Sequence, residues 1–125
     1  MPLNRVVITG YGVVTPIGRS VGEMMNGLAR NVCATRVMSD WNRLGPLRCQ
    51  VGAPVEIQNP TAIPRQFRRT MSRMSVMAVQ AANQALAQAG IQASSIPENP
   101  RFGCVLGSTT GSPETTTQTY QTLLA

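Results

Sequence analysis

The chain has 125 residues, 42% hydrophobic and only 4% aromatic, the make-up of one domain or part of a larger one whose core is Val, Ile, Leu, Met and Ala. Its net charge is +6, all eleven basic residues are arginine, and lysine and histidine are absent. The positive charge therefore does not titrate near neutrality, and the commonest general base and metal ligand are excluded.

Nothing in the sequence approaches the roughly 20 apolar residues that span a bilayer, and the N-terminus has no signal-peptide pattern. Cys33, Cys49 and Cys104 show neither metal spacing nor a paired motif, which suits a reducing compartment. The expectation is a cytoplasmic chain without membrane contact, metal or cofactor.

The first element is Val6-Val7-Ile8, a β-branched run without polar alternation that predicts a strand covered on both faces. Gly10, Gly12 and Gly18 follow, with Pro16 before the last of them. Gly10-Tyr11-Gly12 matches the first half of a dinucleotide fingerprint, but Thr15 occupies the third glycine position and the next helix waits until Ser20. Asp40, the downstream acid, falls in an irregular loop. The glycines therefore read as a packed turn; a nucleotide-binding module is the weakest of the readings kept open.

Ser20-Val-Gly-Glu23 fits a capping box and starts a helix ending near Asn31, with Val21, Met24, Met25 and Leu28 on its core-facing stripe. Residues 32–46 read as a surface loop pinned by Trp41. Leu47 to Val51 alternates and predicts a half-exposed strand, extending at most to Val55. The longest element runs from about Pro64 or Thr70 to Ala89 and is terminated by Gly90; its Met and Ala stripe predicts a buried central helix. Arg101 to Ser108 reads as a second buried strand, with Cys104 an inert residue inside it. Ser112-Pro113-Glu114 opens a last helix with an N-cap, proline at N1 and an acid in the first turn.

Strand, helix, strand, long helix, strand, helix is an α/β order, and no linker marks a boundary within 1–125. The phosphate-loop pattern requires a lysine and is excluded. The cysteines lack a neighbouring histidine base, so no catalytic residue is assigned. Arg65, Arg68, Arg69 and Arg73 fall within nine residues, and their spacing places 65, 69 and 73 on one helical face. That face suits phosphate groups or a carboxylate-rich protein, or is a solvated flank. Nucleic acid is disfavoured because Phe67 is the one aromatic residue interleaved with the cluster.

Three segments carry a resemblance. Arg5 to Gly18 resembles the opening strand and turn of the β-ketoacyl-acyl-carrier-protein synthases, elongating condensing enzymes with a thiolase-like fold. Arg69 to Gly90 resembles their alanine-rich helix, and Phe102 to Glu114 their next strand and glycine turn, so the likeness covers essentially the whole chain. It implies the N-terminal part of a layered α/β fold with a mixed five-stranded sheet, incomplete in this chain. The implied activity is a decarboxylative Claisen condensation of an enzyme-bound acyl group with malonyl-acyl carrier protein, in fatty acid or polyketide synthesis. Relatives place the nucleophilic cysteine, two histidines and a lysine downstream of the matched segments, so the 125-residue chain alone is expected to be inactive; its three strands cannot close a five-stranded sheet, so it is also expected to expose apolar patches and aggregate. Arg65, Arg68 and Arg69 fall where relatives dock the acidic carrier protein, although Thr70 stands where some carry another basic residue. Thr110 and Gly111 fall in the turn near the acyl pocket and dimer interface, where many relatives have a bulkier aliphatic residue at the position of Thr110. The resemblance further implies acyl and malonyl thioester substrates and a homodimer. A non-catalytic, chain-length-determining relative is the alternative.

Overall fold

The structure, a computed structural model, describes residues 4–125. It divides into two compact units, Val13–Glu56 and a discontinuous one formed by the residues up to Gly12 together with Ile57–Ala125.

The Val13–Glu56 unit opens with a tight turn in which Thr15 and Gly18 exchange backbone hydrogen bonds of 2.8 and 3.3 Å. Helix α1, Val21–Ala29, follows. Ser20 caps it as the sequence predicts, its side chain accepting from the Glu23 amide at 3.2 Å. Glu23 closes the other half of the box one residue further out, its carboxylate accepting from the Arg19 amide at 2.8 Å. The expected core stripe holds in part: Val21 and Met24 are half-buried, whereas Met25 and Leu28 are more than half exposed and the buried position is Gly27, packed on Ile17.

The segment read as a loop holds more structure than its composition suggests. Strand β1, Arg36–Val37, pairs antiparallel with β2, Val51–Gly52, in the register Arg36 to Gly52 and Val37 to Val51. Met38 extends the pairing through its amide to the Gln50 carbonyl, and a 3-10 helix spans Ser39–Leu44. The Trp41 indole lies over Gly52, where a Cβ would stand 3.1 Å from the ring. The predicted strand is thus two residues long and begins at the end of the 47–51 run.

In the discontinuous unit, of the two starts expected for the long helix, the structure agrees with the later one near Thr70 and corrects the one at Pro64. A four-residue helix α2, Arg65–Arg68, is separated from α3, Arg73–Gln88, by a break that Ser72 closes by capping the Ser75 amide at 3.2 Å. The C-terminus of α3 is as predicted. Gly90 takes φ +68°, Ile91 donates to the Leu86 carbonyl and Gly90 to that of Ala87, the paired bonds of a Schellman cap. Val76 is the buried residue of α3, while Met74 is 37% exposed, so the helix is half-covered where a fully buried one was expected.

Gly10 and Gly12 press on the alanine face of α3. A Cβ on Gly10 would collide with the Ala85 carbonyl and one on Gly12 with that of Ala81, while the Tyr11 amide donates to the Gln88 side chain at 2.7 Å. The glycines permit backbone-to-helix contact, the packed turn that the delayed helix start implied.

The two buried strands do not form. Residues 6–8 and 101–108 carry no strand pairing among the described residues, and Val6, Ile8 and Val105 are 93%, 87% and 98% exposed. A strand needs a neighbour to take its amides and layers to cover its faces, and residues 4–125 supply neither here. The final helix α4, Pro113–Leu124, starts where predicted, but Ser112 makes no cap bond: its hydroxyl pairs with that of Thr115 at 2.9 Å.

Candidate functional site

The arginine cluster is held by a turn whose rigidity comes from local chemistry. Ile63, 7% exposed, anchors it, and Pro64 fixes the N-cap of α2 with an extended ψ of 138°. The Pro64 carbonyl accepts from the Phe67 and Arg68 amides at 3.0 and 3.1 Å, and Arg65 accepts from Arg69 at 3.0 Å. This one turn places Arg65 and Arg69 along a shallow cleft of about 350 Å³ with Gln66 between them. Arg68 projects from the same turn, half-buried. The single face predicted for 65, 69 and 73 is corrected, because the break before Ser72 starts a new helix at Arg73. No acidic residue occurs between Glu56 and Glu98, so the turn is surrounded in sequence by one sign of charge.

Thr110 and Gly111 lie just before α4, both exposed. Gly111 takes φ +66° and its amide donates to the Ser108 hydroxyl at 3.0 Å, which fixes the bend into the helix.

All three cysteines are free and exposed, which corrects the expectation that Cys104 is a core residue. Its burial was inferred from the strand around it, and the covering layers are absent from the described residues. Cys33 opens onto a cleft of about 500 Å³ in the Val13–Glu56 unit, with Arg19, Glu23, Arg36 and Glu56 in its walls. The Arg19 guanidinium meets the Glu56 carboxylate at 3.3 Å and the Arg19 amide donates to the Glu23 carboxylate at 2.8 Å, so both acids are engaged with Arg19. Sequence reasoning missed this cleft: Arg19 and Glu56 are 37 positions apart and no pattern joins them. Among the described residues no three His, Cys, Asp or Glu side chains gather as metal ligands, and none of the helices is long and apolar enough to cross a membrane.

An arginine turn, a glycine seam on an alanine-rich helix and a glycine bend before the last helix are the features this α/β chain presents. Residues 3–124 match the family model of the beta-ketoacyl synthase N-terminal domain, and the chain belongs to that family. It is 32% identical to 3-oxoacyl-[acyl-carrier-protein] synthase 1 of Escherichia coli strain K12, over 89% of this chain and 27% of the relative. It is also 32% identical to the granaticin polyketide putative beta-ketoacyl synthase 1 of Streptomyces violaceoruber, over 87% of this chain and 26% of that one. A beta-ketoacyl synthase structure from Burkholderia phymatum STM815 superposes with a TM-score of 0.85 at 36% identity, covering 98% of this chain and 30% of the other. The chain thus spans less than a third of the length of these proteins.

Proposed function

We propose that the protein carrying these residues is a β-ketoacyl-acyl-carrier-protein synthase. It transfers an acyl group to an enzyme cysteine and condenses it with malonyl-acyl carrier protein, releasing carbon dioxide and leaving a 3-ketoacyl thioester on the carrier. The observation that carries the reading is the family match across residues 3–124, supported by the relatives named for this reaction class. None of the residues of this chain is assigned a catalytic role. Its contribution is structural and recognitional: Arg65, Arg68 and Arg69 dock the acidic carrier, and Thr110 and Gly111 border the acyl pocket or the dimer interface.

The exposed runs at 6–8 and 105–106 support a sheet completed elsewhere in the protein, the mixed five-stranded sheet of a thiolase-like fold, with 1–125 as the N-terminal part of one domain. The whole protein is a cytoplasmic homodimer in this reading. The test is direct: purified whole protein is mixed with acyl- and malonyl-acyl carrier protein, and the 3-ketoacyl product and carbon dioxide are measured. Product release supports the enzyme. Carrier binding without turnover would transfer the assignment to a non-catalytic, chain-length-determining relative.

A further inference from the structure

We draw no further inference here: the strongest candidate, the cleft of about 500 Å³ in the Val13–Glu56 unit whose walls include Cys33, Arg19, Arg36 and Glu56, rests on a lone cysteine with no second observation that points to a ligand, and nothing in the structure shows what covers it in the whole protein.

Discussion

Glycines in this chain divide into those that admit a neighbour and those that do not. Gly10 and Gly12 face the Ala85 and Ala81 carbonyls with no space for a methyl group, so Gly10→Ala and Gly12→Ala should each destabilise the protein by about 1–3 kcal/mol through forced separation of turn and helix. Gly22 lies inside α1 with nothing within 4 Å of its Cβ direction, and Gly22→Ala should stabilise by about 0.5–1 kcal/mol by removing backbone freedom from the unfolded chain. Urea midpoints of the whole protein at constant slope check both signs in one series. The Arg19–Glu56 pair is a weaker determinant: its side chains are 38% and 75% exposed, and Glu56→Gln should cost less than about 1 kcal/mol, with most of that lost at high salt.

At the scale of elements, what was legible is what short-range chemistry decides. The Ser20 cap, the Gly90 terminator and the start of α4 at Pro113 each depend on a few adjacent residues, and each falls where the sequence put it. The strands were not legible in the same way, because an apolar run such as Val6-Val7-Ile8 records a tendency to be covered and not the presence of a cover. The arginine face was half legible: the spacing joined Arg65 and Arg69 correctly but ran on through the Ser72 break to Arg73. That break has a measurable weight. Ser72→Ala removes the cap of α3 and should lower stability by about 1 kcal/mol, visible as a lower urea midpoint, with Ser72→Asp retaining most of it.

For the whole molecule the governing facts are permanent positive charge and uncovered apolar surface. Because every basic group of these 125 residues is arginine, binding through the proposed docking face of Arg65, Arg68 and Arg69 should weaken with salt, which titration calorimetry at two ionic strengths would test. The 125-residue chain on its own exposes Val6, Ile8, Val105 and Leu124 almost fully, and it should bind a hydrophobic dye and melt without a cooperative transition. The glycine seam also bears on how the protein assembles in time. Tyr11 and Gln88 meet across 77 positions, and the whole Val13–Glu56 unit lies inside the loop that their contact closes. Closure of so long a loop is costly in chain entropy until helix and unit have each formed, so the seam is expected to form late in folding. Gly12→Ala should then speed unfolding far more than it slows folding: the glycines act as a latch, and their weight falls on how long the native state lasts.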